Sequence, residues 1–209
     1  MVTDQTKPTD EITFSQELLR KGTHMFALVI PGSYYFLNLT KVEMLLIMVP
    51  ITMLMFLIDI ARLRNWALWR KFVVHFGGGM IRPHEDNGNF TGATYILITI
   101  CLAVALFDRN IAIAALAFII VGDTFAALIG RKFGRLRFGR KSVEGSLGCL
   151  LGTLLVVLVV PDLHISVGII GAVTATVTEA LSVKIDDNVS VPLVSGLVMT
   201  LAERIIHYS

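Results

Sequence analysis

The sequence predicts an all-α, polytopic integral membrane protein of about seven transmembrane helices, and three observations carry that expectation. Hydrophobic residues fill 55% of its 209 positions, and the mean hydropathy is +0.73. Several apolar runs approach the roughly 20 residues that cross a bilayer as a helix. Those runs are unbroken, without the period-two alternation of a membrane barrel, and helices are then the structures that satisfy every backbone group in lipid.

The segments fall at about 24–39, 42–60, 91–107, 110–130, 145–160, 166–183 and 191–206. Their connections alternate in charge. Lys7, Arg20, Lys21, Arg62, Arg64, Arg70, Lys71, Arg82, Lys184 and the six cations from Arg131 to Lys141 lie on one side, fifteen of the eighteen in the chain. Lys41, Arg109 and Arg204 lie on the other. The positive-inside rule makes the first side cytoplasmic, with the N-terminus inside and the C-terminus outside. The expected organisation is an N-terminal cytoplasmic or juxtamembrane segment over 1–23 and a single transmembrane catalytic domain over 24–209. A plasma-membrane location follows if the source is prokaryotic. Cys101 and Cys149 each stand alone in an apolar run, so neither a disulfide framework nor a cysteine metal site is expected. No cleavable signal peptide is expected, because the polar lead is too long and too acidic. Asn38-Leu39-Thr40 matches a glycosylation sequon by chance, pressed against the membrane on a short loop.

Along the chain, helical spacing puts Glu17, Arg20, Lys21 and His24 on one face leading into the first segment. The second ends in Asp59 and Arg62, an expected interfacial i,i+3 ion pair. The following loop carries Trp66 and Trp69 among cations, an interfacial pattern, then His75, Gly77-Gly78-Gly79 and Arg82-Pro83-His84-Glu85. The third segment opens with Thr91-Gly92-Ala93-Thr94-Tyr95, small and hydroxylic, fit to pack closely or to line a polar cavity. In the fifth, Gly148 and Gly152 stand four apart. The last is expected to begin at a Ser190 cap with Pro192 in its first turn.

The fourth segment holds the residue that most needs explaining. Asp123 is the only ionisable group between Asn110 and Gly130, and an acid at membrane depth costs a few kcal/mol or more unless it faces a protein interior or a watery cavity. Gly122, Ala126, Gly130 and Gly134 form a stripe that lets another helix approach. A glycine-punctuated cationic loop follows, closing on Lys141-Ser142-Val143-Glu144-Gly145. The sixth segment carries a second such acid, Glu179, on a face shared with Gly168, Ala172 and Ala175, and Asp186-Asp187-Asn188 comes after it. Carboxylates brought together repel unless a cation lies between them, and Mg²⁺ or another hard divalent ion takes carboxylate oxygens together with substrate phosphates. Cations and backbone N–H groups of a glycine-rich loop suit a polyphosphate. A Mg²⁺–nucleotide site at the cytoplasmic membrane face is therefore expected.

At these residues the sequence resembles a superfamily of polytopic membrane enzymes that use CTP. Asp123-Thr-Phe-Ala, Gly130, Phe133-Gly134, Lys141-Ser142 and Glu144-Gly145 look like the segment shared by phosphatidate cytidylyltransferases and lipid-alcohol kinases: dolichol kinase, phytol kinase and the CTP-dependent diacylglycerol kinase. Glu17-x-x-Arg20-Lys21-x-x-His24, Arg82-Pro83-x-Glu85, and Glu179 with Asp186-Asp187-Asn188 and Pro192 resemble the kinase branch. The cytidylyltransferase signature of His-Gly-Gly followed by Asp-Arg-x-x-Asp is absent. The resemblance covers about residues 17–195 and implies transfer of the γ-phosphate of CTP to the hydroxyl of phytol, a polyprenol or diacylglycerol.

It also implies roles. Asp123, Asp187, Lys141 and Glu144 would be catalytic, with Asp187 or Asp123 taking or orienting the alcohol proton and Glu85 and His24 as other candidates. Arg131, Lys132, Gly134, Arg140, Lys141, Ser142, Gly145, Arg20 and Lys21 would bind nucleotide. His24, Arg82, Glu85 and Tyr95 would meet the lipid. Asp123, Glu179, Asp186, Asp187 and Asn188 would hold the metal. Partners would be the lipid alcohol, the nucleotide and membrane lipids, with no nucleic acid; oligomeric state is open, a homodimer included. The alternatives are cytidylyl transfer to phosphatidate on the same metal platform, and a small-anion transporter with Asp123 and Glu179 as ion sites.

Overall fold

The computed structural model describes residues 21–22, 24–64, 90–139, 141–181 and 186–207. Arg20, Arg82, Glu85 and Arg140, and the aromatic and glycine signals of the second loop, lie outside the described residues. The elements are α1 (Val29–Phe36), α2 (Lys41–Leu63), α3 (Gly92–Leu106), α4 (Arg109–Phe133), a hairpin of β1 (Arg137–Phe138) and β2 (Lys141–Ser142), α5 (Val143–Val159), α6 (Ile165–Leu181) and α7 (Asp187–His207). The expected all-helical membrane architecture is what is found. By length and composition, α2, α4 and α7 are apolar enough to cross a membrane, and α3, α5 and α6 are shorter apolar helices.

α4 is the axis. Every residue from Ile111 to Ile120 is buried, and a helix apolar all round belongs at the centre of a bundle. α1, α3, α5, α6 and α7 all pack on it, whereas α2 packs on α3. Leu46, Leu54 and Leu57 of α2 and Leu158 of α5 are exposed, as side chains directed at lipid are. The small-residue stripe of α4 finds its partner in α5. A Cβ on Gly148 would lie 2.9 Å from the Phe125 carbonyl oxygen, and one on Gly145 would lie 3.0 Å from that of Ala126. Only hydrogen fits there, so the two backbones meet directly beside Asp123.

Three expectations are corrected. The segment over 24–39 is not one continuous span. Residues 24–26 are helical, but Ala27 and Leu28 donate to His24 and Met25 three residues back in a turn that interrupts the helix before α1 starts at Val29. Pro31 has no N–H to offer the Ala27 carbonyl, which accepts from Ile30 instead. The cap of α7 is Asp186, whose carboxylate accepts from Asn188 N at 2.9 Å; Ser190 already lies inside the helix and bonds back to the Asp186 carbonyl. The Asp59–Arg62 pair exists at 3.0 Å but is buried, with Asp59 1% exposed.

One end of the bundle is fastened by Arg109. Its guanidinium donates to Asn38 Oδ1 and to the Tyr34 and Tyr35 carbonyls and stacks over both tyrosine rings. Thr40 and Glu43 there form a capping box that starts α2. Asn38 and Thr40 thus serve the turn between α1 and α2. The opposite end gathers the polar residues singled out above.

Candidate active site

Helix ends build this region. α4 stops where Gly134 N donates to the Gly130 carbonyl, and the hairpin turns the chain back through Gly139, at φ +63°, a backbone that glycine adopts without penalty. Ser142 then caps α5, its hydroxyl accepting from Gly145 N at 3.1 Å. Glu144 accepts from Leu136 N at 3.2 Å and so ties the loop to the first turn of α5. Gly134, Ser142, Glu144 and Gly145 therefore shape the turn itself. Arg131 and Lys132 are exposed on the last turn of α4, with Lys132 over the Phe133 ring. Cations at a helix C-terminus complement its dipole.

Two lysines reach inward from this frame. Lys21, just ahead of α1 and 1% exposed, pairs its ammonium with Asp123 across 102 positions of chain. His24 Nε2 lies 3.7 Å from the same carboxylate oxygen. Lys141 donates to the Glu179 carbonyl and stands 2.9 Å from Glu179 Oε1 and 3.1 Å from Asp187 Oδ2. β2, the end of α6 and the start of α7 are thereby joined at one ammonium group. Burial alone would lower the pKa of Lys141. Its hydrogen bond to Glu179 and the charges of Glu179 and Asp187 outweigh that and raise it above the ordinary lysine value.

The two groups share one electrostatic neighbourhood. Asp187 feels the charges of Lys141, Glu179 and Asp123, and Cys149 on α5 feels all but Asp187 among these. Cys149 lies against Gly122, one residue before Asp123. Of the acids singled out by spacing, Asp123 lies beside Lys21 and His24, and Glu179 and Asp187 lie beside Lys141. Asp186 and Asn188 are adjacent in sequence but engaged in capping α7.

Tyr95 belongs to another group, which the sequence reading missed. Asp59 accepts from Thr91 N at 2.7 Å, Thr91 Oγ1 at 2.9 Å and Thr94 Oγ1 at 2.6 Å, and Arg62 completes its shell. Tyr95 sits on the same turn of α3, edge-on to Phe90. The hydroxylic opening of the third segment was the signal for this node.

Asp123, Glu179 and Asp187 are the described carboxylates that could contribute oxygens to a hard cation. Among the described residues, no three His, Cys, Asp or Glu side chains converge on a ready-made metal site. Carboxylates that share a divalent ion with substrate phosphates are nevertheless how Mg²⁺ is commonly bound.

Comparison with known proteins bears on what such a region does. No family model matches the chain, and no solved structure matches it. An uncharacterised protein of Rickettsia prowazekii is 32% identical over 189 residues, 86% of this chain and 91% of that protein. A "probable phytol kinase, chloroplastic" of Triticum aestivum is 28% identical over 92% of this chain and 70% of its own. The CTP-dependent diacylglycerol kinase 1 of Saccharomyces cerevisiae is 28% identical over 97 residues, 45% of this chain and 33% of that enzyme. The named relatives are phytol kinases and a CTP-dependent diacylglycerol kinase, at modest identity, and that likeness supports the CTP-dependent lipid kinase family. The chain is thus related to phytol kinases and a diacylglycerol kinase, which are alcohol phosphotransferases.

Proposed function

We propose that this protein transfers the γ-phosphate of a nucleoside triphosphate, CTP, to the hydroxyl of a membrane lipid alcohol of the phytol, polyprenol or diacylglycerol kind. The site opens at the cytoplasmic face of the transmembrane domain. The observation that carries the reading is the pairing of Asp123 with Lys21, and of Glu179 and Asp187 with Lys141, within an otherwise apolar bundle. A structural bundle has no need of it, because intramembrane ionisable groups are costly and mark function.

Phosphoryl transfer depends mainly on positioning and on neutralising charge at the phosphoryl oxygens. In this reading Lys21 and Lys141 meet the phosphates as point charges, and Arg131, Lys132 and Arg140 draw the nucleotide to the face. Asp123, Glu179 and Asp187 would hold Mg²⁺ with Asp186 and Asn188 alongside, and the bound ion would supply charge neutralisation between nucleotide oxygens. Asp187 or Asp123 takes or orients the alcohol proton, with His24 near enough to Asp123 to share that work. Ser142, Gly134 and Gly145 keep the loop in shape, and Glu144 straps it. Tyr95, Arg82 and Glu85 are assigned to the lipid side.

The test uses purified protein, Mg²⁺, a panel of phytol, polyprenol and diacylglycerol, and CTP labelled at either the α- or the γ-phosphorus. Label reaching lipid from γ and not from α is the expected result. Transfer from α to added phosphatidate would mean cytidylyl transfer on the same platform, and no transfer from CTP or ATP would turn attention to a transporter.

A further inference from the structure

We propose that Lys21 and Lys141 are exchangeable counter-ions, which hold the site's carboxylates in the nucleotide-free protein and pass to phosphate when nucleotide and divalent cation bind, making the two bind as a unit. The inference deepens the kinase reading and rests on it. Each of the three site carboxylates is in contact with an ammonium group: Asp123 with Lys21, and Glu179 and Asp187 with Lys141. One partner of each group is buried, Lys21 at 1% and Glu179 at 6% exposed, while the side chains of Asp123, Lys141 and Asp187 are 25%, 22% and 30% exposed and so within reach of an arriving ligand. A lone divalent cation arriving at Asp123 has to displace an ammonium that water does not reach, and an ammonium left buried without a partner is strongly unfavourable. The cation also finds too few oxygens waiting, since among the described residues no three acidic or histidine side chains converge and a hard divalent ion seeks six or more.

The nucleotide alone meets the mirror-image obstacle. Its phosphates attract Lys21 and Lys141, but drawing them off leaves Asp123, Glu179 and Asp187 facing phosphate with like charge. Both obstacles vanish when metal and phosphate arrive together. The lysines re-pair with phosphate oxygens, and the carboxylates they release gain the cation. Coupling of this kind is reciprocal: whatever factor nucleotide adds to metal affinity, metal adds to nucleotide affinity.

Equilibrium dialysis of the full-length protein in detergent tests this, with Mn²⁺ as the cation and the β,γ-methylene analogue of CTP as a nucleotide that does not turn over. The wild-type protein is expected to retain Mn²⁺ about tenfold or more weakly alone than with the analogue present, within the usual range of coupling between sites. Lys21→Met is expected to narrow that gap because free Mn²⁺ gains affinity while the analogue loses it. Equal retention of Mn²⁺ by the wild-type protein with and without the analogue overturns the exchange, whatever the variant does, and leaves the kinase reading standing. Failure to retain either the CTP analogue or its ATP counterpart in the presence of Mn²⁺ overturns the kinase reading, and the exchange with it.

Discussion

Lys141→Met removes one ammonium group and, with it, the junction between three elements. Its three acceptors are Glu179 Oε1 at 2.9 Å, Asp187 Oδ2 at 3.1 Å and the Glu179 carbonyl. Removing one partner of a fully buried pair costs about 3–5 kcal/mol, most of it for the charge left behind. The Glu179 side chain is 7% exposed, but those of Lys141 and Asp187 are 22% and 30% exposed. Partial solvation lowers the expected loss to about 2–3 kcal/mol. For a chain of this size that is a fall of about 5–10 °C in Tm. Thermal unfolding in detergent measures it, and Glu179→Gln supplies the control. Lys141→Met with Glu179→Gln should recover most of the lost stability, because the more deeply buried of the two stranded carboxylates is gone and Asp187 is partly solvated, yet remain inactive in lipid phosphorylation. A double variant no more stable than Lys141→Met alone would refute the reasoning, since the loss would then not come from a stranded carboxylate.

Further outcomes follow from the same geometry. The raised pKa of Lys141 fixes a sign: its pairing stabilises the fold fully below the unfolded value of 10.5 and is lost as pH rises through the higher folded value. The Tm gap between wild type and Lys141→Met should therefore hold constant from neutral pH to about 10 and shrink above it. Gly148→Val drives a side chain into the Phe125 carbonyl and the Ile129 side chain, and should cost about 1–3 kcal/mol by overpacking; Gly32→Ala, with open space around it, should melt close to wild type. Asp59→Ala strips the acceptor from Thr91 and Thr94 and the carboxylate partner from Arg62. It should destabilise by about 3–5 kcal/mol, with Asp59→Asn less harmful in the same melt.

Much of this molecule was legible because the bilayer restricts the choices. Charged residues inside long apolar runs announce themselves, so Asp123 and Glu179 stood out without any structure. The stripe through Gly122, Ala126 and Gly130 promised a close helix, and α5 is that helix. What the sequence hid is long-range pairing. Lys21 lies 102 positions from Asp123, and nothing in the spacing of either residue names the other. Asp59 hid for a different reason: next to Arg62 at the end of an apolar run, it matches an ordinary interfacial ion pair, and the threonines that enclose it come from 32 and 35 residues further on. The continuous first segment was a misjudgement of local chemistry, since Pro31 sits where a helix from His24 would need a donor. Asp186 displaced Ser190 as the cap of α7 because its carboxylate reaches the Asn188 amide directly.

The central claim is that Asp123, Glu179 and Asp187, with their lysines, form a single phosphoryl-transfer site, and Asp123→Asn tests it most directly. The substitution keeps size and hydrogen-bonding capacity while removing the charge. Transfer of γ-labelled phosphate from CTP to the best lipid acceptor should fall by about 10²–10³-fold or more, while the detergent-solubilised variant elutes and melts as a folded protein. Turnover near the wild-type rate in a folded Asp123→Asn variant would contradict the account and remove Asp123 from the reaction.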